Sequence, residues 1–253
     1  MGRTTSAQPS RGIRPLEALN FFMADMQAGI GPFVGVFLLA HGWQSGWIGT
    51  ILTFGGVAGT LMTTPVGALV DSTRHKRAYV ILCGTSTVLA SAIILLSQEF
   101  WVVTFSQVAT AVAGAAIVPA VTGITLGMVK QAGFNRQNGR NQAFNHAGNM
   151  VGAALSGLVG WRFGFVAVFI LAAVFGAISI ACVLMIPDDA INHSAARGVH
   201  ESGDRAGEVS GFDVLIRCKP LLILAAALAC FHLGNAAMLP LYGLAVVSKH
   251  GVN

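Results

Sequence analysis

Seven long apolar runs limit what this chain can fold into. They cover Leu16–Ala40, Ile48–Val70, Ala78–Leu96, Phe100–Val129, Ala143–Gly160, Phe163–Ile186 and Pro220–Val247. Most reach the ~20 residues that a helix needs to cross about 30 Å of hydrocarbon. None alternates with the two-residue period that a membrane β-barrel requires. The pattern predicts an all-α, polytopic membrane protein with seven transmembrane helices.

Charge is scarce in this chain and lies mostly in alternate loops. Charged residues make up 10% of the chain, against roughly 25% in soluble domains. Thirteen of the 15 Lys and Arg residues lie in the N-terminal tail or in the loops after the second, fourth and sixth runs, and only Arg162 and Lys249 fall on the other side. The positive-inside rule then predicts a cytoplasmic N-terminus in a bacterial inner membrane. The net charge of +5 is explained by this topology and by contact with anionic lipid, so we expect no nucleic-acid partner.

The order of the runs predicts four parts. Residues 1–15 are a cytoplasmic tail, 16–186 a six-helix transmembrane bundle, 187–219 a polar cytoplasmic linker, and 220–253 the first helix of an incomplete second bundle. The seventh run is similar to the first, because aligning Pro32 with Pro240 sets Gln27 opposite Asn235 and Ala24 opposite His232. A parallel internal repeat leaves such a trace, although two amphipathic helices can also match by chance. If the repeat is real, a protein of six plus six helices has been cut after its seventh span.

A basic loop between the second and third runs reads GALVDSTRHKR. Its Gly67, Leu69, Asp71, Lys76 and Arg77 resemble the loop signature of the major facilitator superfamily, a family of secondary transporters. The chain departs from that signature at three positions, which hold Ser72, Arg74 and His75.

Two further motifs of that superfamily bear on the resemblance. The fifth run is similar to its glycine-rich fifth-helix motif at Gly148, Gly152 and Gly157, with Asn149 at the usual proline position. The intramembrane arginine of the fourth-helix motif is absent, since Thr110 occupies its place. The resemblance covers almost the whole chain and implies the N-terminal half of a transporter that works by alternating access.

The resemblance also implies a role for the basic loop. Gly67, Asp71, Arg74, Lys76 and Arg77 would form a conformational switch, with Asp71 helping to latch the loop in the outward-open state. A charge network that forms and breaks there can shift state populations strongly. The alternative is a solvated loop whose cations only set the topology.

Asp25 is the candidate proton-coupling residue. It lies about 14 Å along the first helix from Leu16, near the middle of the membrane. A carboxylate at that depth costs several kcal/mol, and burial raises its pKa towards physiological pH. Reversible protonation at such a position suits proton coupling. The alternative is a structural Asp that is hydrogen-bonded within the bundle.

Polar side chains elsewhere in the runs are candidate solute contacts. Asn20 and Gln27 share a helix face, from which Asp25 points away by about 140°. On the fifth run, Gln142, Asn145, His146 and Asn149 form a stripe that could line a vestibule or act as an interhelical hydrogen-bond seam. The predicted solute-binding set is Asn20, Gln27, Gln107, His146, Asn149, His232 and Asn235.

These features together predict a proton-coupled transporter of a small organic solute, a drug or a metabolite. Export is favoured only by the resemblance to efflux members of the superfamily. We expect no enzymatic activity, cofactor or metal, because no nucleophile–base pair, ligand cluster or nucleotide loop occurs in the sequence. The expected partners are the lipid bilayer and the solute, with self-association or a missing second half completing the pathway. The alternative is a truncated remnant that cannot transport, or a membrane assembly partner.

Overall fold

The computed structural model describes residues 12–28, 30–197 and 218–235, together with Met238, Tyr242 and Ala245. The side chains of residues 25–32 and a few others near residues 197 and 232–235 lie outside that description. The chain divides into two compact units, Met1–Val199 and His200–Asn253.

Helices make up almost all of the described chain, and no strand occurs within it. In the first unit these are α1 (Ile13–Ala28), α2 (Ile30–Ala40), α3 (Ser45–Ser72), α4 (Lys76–Leu96), α5 (Phe100–Phe163) and α6 (Phe165–Leu184), followed by short 3-10 turns at Asp188–Ala190 and Ala195–Arg197. The second unit contains α7 (Lys219–Asn235). The all-α, polytopic prediction is confirmed.

The helices can be matched to the predicted spans one by one. The first span is covered by α1 and α2 together, and the second, third and sixth by α3, α4 and α6. The fourth and fifth spans both lie in α5. Within the described residues, α3, α4, α5 and α6 are each long and apolar enough to cross a membrane.

A single residue divides α5 into two arms. Lys130 has φ 54° and ψ 180°, a combination that is strained for a residue with a Cβ atom. We call residues 100–129 the first arm and residues 131–163 the second arm. The second arm is already helical at residue 131, so the polar segment 131–142 extends the predicted fifth span by about three turns.

The helices that position the site are α1, α5 and α6. The two arms of α5 lie at the centre of the first unit, where α5 contacts α1, α3, α4 and α6. The helix α1 packs between α5 and α6. Two apolar clusters fill the interior, one around Leu16, Ile117 and Val183 and one around Phe37, Ile51 and Phe169.

Several loops meet at one end of this unit, which we call the basic end. Arg77 at the start of α4 lies 3.5 Å from the Asp188 carboxylate just after α6. A Cβ atom on Gly12, before α1, would lie 2.9 Å from Met128 and 3.3 Å from Pro187. The start of α1, the α3–α4 loop, the break in α5 and the end of α6 therefore lie together.

The beginning of the predicted linker packs against the basic end. The Asn192 N–H donates to the Gly127 carbonyl at 2.9 Å, and Ile191 and Ala196 are each 5% exposed. A Cβ atom on Gly127 would lie 2.8 Å from Ile191 and 3.0 Å from Ala196. The absence of a side chain at Gly127 therefore leaves a notch in the first arm. Residues 187–197 fit into this notch, and we call them the strap.

Replacing Gly127 with alanine should release the strap. The added methyl group would overlap Ile191 and Ala196, and overpacking of this kind costs about 1–3 kcal/mol. We expect amide exchange of residues 190–197, measured by hydrogen–deuterium exchange mass spectrometry, to accelerate about tenfold. The control is Gly114→Ala in the same arm, where a Cβ atom meets no atom within 4 Å. Equal exchange in the two variants would show that the strap does not depend on this notch.

Candidate functional site

A polar cavity lies between α1 and the two arms of α5. Its volume is about 130 Å³. It is lined by five amide side chains, two hydroxyls and three apolar side chains, which are Asn20, Asn138, Asn141, Gln142, Asn145, Thr122, Thr125, Met23, Val118 and Val121. None of these side chains is charged. Polar residues inside membrane helices face the bundle interior or a water-filled cavity and often mark solute pathways.

A seam of amide groups joins α1 to the second arm beside this cavity. Asn145 Nδ2 donates to the Asn20 carbonyl at 3.5 Å, and Asn149 Nδ2 donates to Asn145 Oδ1 at 3.2 Å. Asn20 Nδ2 donates to the Leu16 carbonyl of its own helix at 2.8 Å. Asn149 Oδ1 is buried and finds no partner among the described residues. The predicted stripe on the second arm therefore takes part in an interhelical seam, while Asn145 and Gln142 also line the cavity.

A buried cluster around Glu17 borders the cavity at the basic end. Glu17 is 5% exposed, and its Oε1 lies 2.8 Å from Arg140 Nε. Gln137 Nε2 donates to the same oxygen at 3.2 Å and to Asn141 Oδ1 at 3.0 Å. Asn141 Nδ2 then donates to Thr125 Oγ1 at 2.9 Å. The cluster ties α1 to both arms of α5.

Sequence reasoning missed this cluster. Glu17 lies 120 positions from Gln137, so the pair is visible only once the helices are packed. One local signal was available, because Gln137 and Asn141 lie four residues apart and share a helix face. That spacing indicates a shared face only if residues 131–142 are predicted to be helical.

The basic loop contains both buried and exposed side chains. Lys76 is 3% exposed, and its Nζ donates to the Val70 carbonyl at 2.8 Å and to the Asp71 carbonyl at 3.3 Å. Arg77 Nη2 donates to the Leu184 carbonyl at 3.3 Å. Asp71 and Arg74 are exposed. Lys76 and Arg77 thus hold the ends of α3, α4 and α6 together.

Gly67, the first residue of the loop signature, lies inside α3. A Cβ atom there would come within 3.9 Å of Pro119 in the first arm of α5. That distance is ordinary van der Waals contact, so the packing at this point tolerates a small side chain.

The remaining predicted contacts lie at different places. Gln107 is half-buried and packs against α3, where a Cβ atom on Gly55 would lie 3.5 Å from the Gln107 Cβ atom. His146 is exposed on the second arm and does not line the cavity. The side chains of Asp25, Gln27, His232 and Asn235 lie outside the described residues. Of the predicted set, the structure places Asn20 in the cavity wall and Asn149 in the seam beside it.

A larger cavity lies at the opposite end of the unit. It encloses about 810 Å³ and is lined by aromatic side chains, including Trp43, Trp47, Phe100 and Trp101. Trp47 and Trp101 are 54% and 75% exposed. Aromatic residues gather in this way at membrane interfaces, so the groove fits the expected interfacial belt. The polar cavity, although smaller, has seven hydrogen-bonding side chains on helices of the bundle.

Within the described residues, no group of three or more His, Cys, Asp or Glu side chains is placed to hold a metal ion. The chemistry available in the polar cavity is hydrogen bonding by amides and hydroxyls. Such a wall can bind and orient a polar molecule.

Comparison with known proteins places these features in a family context. The family model described as Major Facilitator Superfamily matches residues 17–252. Two proteins from two strains of Mycobacterium tuberculosis, each named as an uncharacterized MFS-type transporter, are 42% identical to the chain over 246 residues. The match covers 96% of the chain and 59% of each relative. The chain thus spans less than two thirds of the length of these relatives.

Proposed function

The chain belongs to the major facilitator superfamily, and from that membership we propose that it transports a small organic solute across the membrane in exchange for protons. The transport mechanism is alternating access, with two helix bundles rocking about a site near the middle of the membrane. The direction is export, out of a bacterium across its cytoplasmic membrane. The placement of the basic residues supports a cytoplasmic N-terminus.

The observation that carries this proposal is the polar cavity between α1 and α5. In a membrane, buried amides are costly unless they are hydrogen-bonded or face water or a solute. Here five amide side chains line one cavity, and two of them, Asn20 and Asn141, are buried. A solute-binding role explains why these groups lie together rather than being scattered as single interhelical bonds.

Each part of the structure then has a role in transport. Asp25 exchanges the proton. Solute is contacted by the cavity wall, which includes Asn20, and by the further polar side chains Gln27, Gln107, His146, Asn149, His232 and Asn235. The loop of Gly67, Asp71, Arg74, Lys76 and Arg77 biases the two states, and the buried bonds of Lys76 and the Arg77–Asp188 pair support a latch at the basic end.

Asp25 gives the direct test of proton coupling. Protein extracted from its own membrane is reconstituted into liposomes with an imposed pH gradient and incubated with a bacterial metabolite extract. Mass spectrometry then identifies solutes that accumulate only when the gradient is present. Asp25→Asn should abolish that accumulation, since the amide cannot exchange a proton, whereas Glu99→Gln at an exposed loop carboxylate should leave it unchanged. Accumulation at the wild-type rate in Asp25→Asn would refute the coupling role.

A further inference from the structure

We propose that the polar cavity selects an uncharged solute that carries several hydroxyl or amide groups. The inference rests on the proposed transport function and assigns the chemical class of its solute. Three observations on the described residues carry it, namely the neutral side chains of the cavity wall, the hydrogen-bonding groups left open in that wall, and the pairing of Glu17 with Arg140 beside it.

The described wall of the cavity offers no charge to a solute. Its seven polar side chains are all amides or hydroxyls. A carboxylate or an ammonium group entering this space would lose its water without meeting an opposite charge, which is far more costly than burying a neutral polar group. An uncharged solute loses only hydrogen bonds to water, and the wall can replace them.

Part of the wall keeps its hydrogen-bonding capacity. Asn141, Thr125 and Asn145 bond to other protein groups. Among the described residues, the side chains of Asn138, Gln142 and Thr122 make no hydrogen bond to protein. Each amide offers a carbonyl acceptor and an NH₂ donor, and the hydroxyl offers both. Donors and acceptors placed side by side match hydroxyl or amide groups of a solute.

Among the described residues, the charged side chains of Glu17 and Arg140 beside the cavity pair with each other. Arg140 precedes the wall residue Asn141, but its Nε lies 2.8 Å from the Glu17 carboxylate. Glu17 and Arg14 line a separate groove between α1 and the second arm. The Glu17 cluster therefore borders the cavity without leaving a net charge next to the solute.

The size of the cavity limits how much of the solute it holds. Sites for whole small ligands are commonly about 300–1,000 Å³, and this cavity is about 130 Å³. It accommodates one polar end of a solute, with the rest lying outside the described cavity.

The test uses three probes that share one polyhydroxylated carbon chain and differ in charge, namely sorbitol, gluconate and glucamine. Their binding to the purified full chain in lipid nanodiscs is measured by calorimetry. We expect sorbitol to bind about tenfold more tightly than either charged probe. Asn138→Asp places a carboxylate in the wall and should reverse the order in favour of glucamine. Asn135→Asp adds the same charge at an exposed position of the same arm and should not change the order.

Tighter binding of gluconate or glucamine to the unmodified protein would overturn the inference, as would binding of none of the three. The proposed transport function is tested separately, by alkylating a Val118→Cys side chain in the cavity wall from each side of sealed liposomes. Labelling from both sides supports alternating access whatever the probes show. Labelling from one side only would contradict the transport proposal itself.

Discussion

Replacing Gly148 with alanine should separate α1 from the second arm of α5. A Cβ atom at this position would overlap the carbonyl oxygen of Phe21 in the backbone of α1. That oxygen belongs to a hydrogen-bonded helix and cannot move without moving the helix. Overpacking costs typically about 1–3 kcal/mol, and we expect a cost at the upper end of that range because the neighbour is backbone rather than a flexible side chain.

Gly157 provides the matched control for this substitution. It lies in the same arm, and a Cβ atom there meets no atom within 4 Å. Alanine is preferred over glycine inside a helix by about 0.5–1 kcal/mol, so Gly157→Ala should leave stability unchanged or raise it slightly. The two glycines belong to one motif, yet alanine should lower the stability at Gly148 and leave it unchanged or raise it slightly at Gly157.

Thermal unfolding measured with a fluorogenic maleimide can separate the two variants. Cys182 is 7% exposed and becomes reactive on unfolding, while the exposed Cys230 and the partly exposed Cys83 and Cys218 are replaced by alanine in every sample. Gly148→Ala should lower the midpoint by about 6–12 °C, taking about 3 kcal/mol at roughly 2–4 °C per kcal/mol for a chain of this size. Equal midpoints for the two variants would show that the close approach of α1 and α5 contributes nothing to stability.

The span pattern could be predicted from the sequence because it depends on local composition. An apolar run of sufficient length must form a helix in lipid, since every backbone group has to find a partner within the segment. The predicted runs accordingly fall within helices of the structure where it is described, apart from Gly164, Met185 and Ile186 at the ends of α5 and α6. The predicted and observed helix boundaries differ most at residues 131–142, where the second arm continues through a polar segment. Polar composition predicts a loop there, but Gln137 and Asn141 form a buried face and stabilise the helix.

The site could be predicted only in part, because its contacts are long-range. Asn20 was found as a polar residue inside an apolar run, which is a local signal. Glu17 lies at the edge of the same run, where a charged residue is ordinary, and its partners Gln137 and Arg140 are 120 or more positions away. Polarity predicts that the strap is part of a linker, whereas its packing depends on the notch at Gly127. Composition predicts which segments enter the membrane, while packing determines which polar groups meet.

The Glu17–Arg140 pair should respond asymmetrically to removal of its two partners. The Arg140 side chain is 52% exposed, whereas that of Glu17 is 6% exposed. Arg140→Gln therefore leaves a buried carboxylate whose remaining described donor is Gln137. Glu17→Gln leaves a guanidinium that water already solvates, and the new amide oxygen can still accept from Gln137. Removing one partner of a fully buried pair costs about 3–5 kcal/mol, so we expect about 2 kcal/mol for Arg140→Gln and less than half of that for Glu17→Gln.

Two further variants test whether this asymmetry is caused by the buried charge of Glu17. Arg136→Gln removes the same charge from an exposed position one turn earlier in the second arm and should not lower the unfolding midpoint. The double variant of Glu17→Gln and Arg140→Gln keeps no charge at this pair, so its midpoint should return to that of Glu17→Gln alone. A midpoint for the double variant below that of Arg140→Gln would contradict the argument, because the loss would then come from packing. Recovery in the double variant would instead identify the uncompensated Glu17 carboxylate as the cause, and would show that Arg140 acts here by neutralising Glu17 at the edge of the polar cavity.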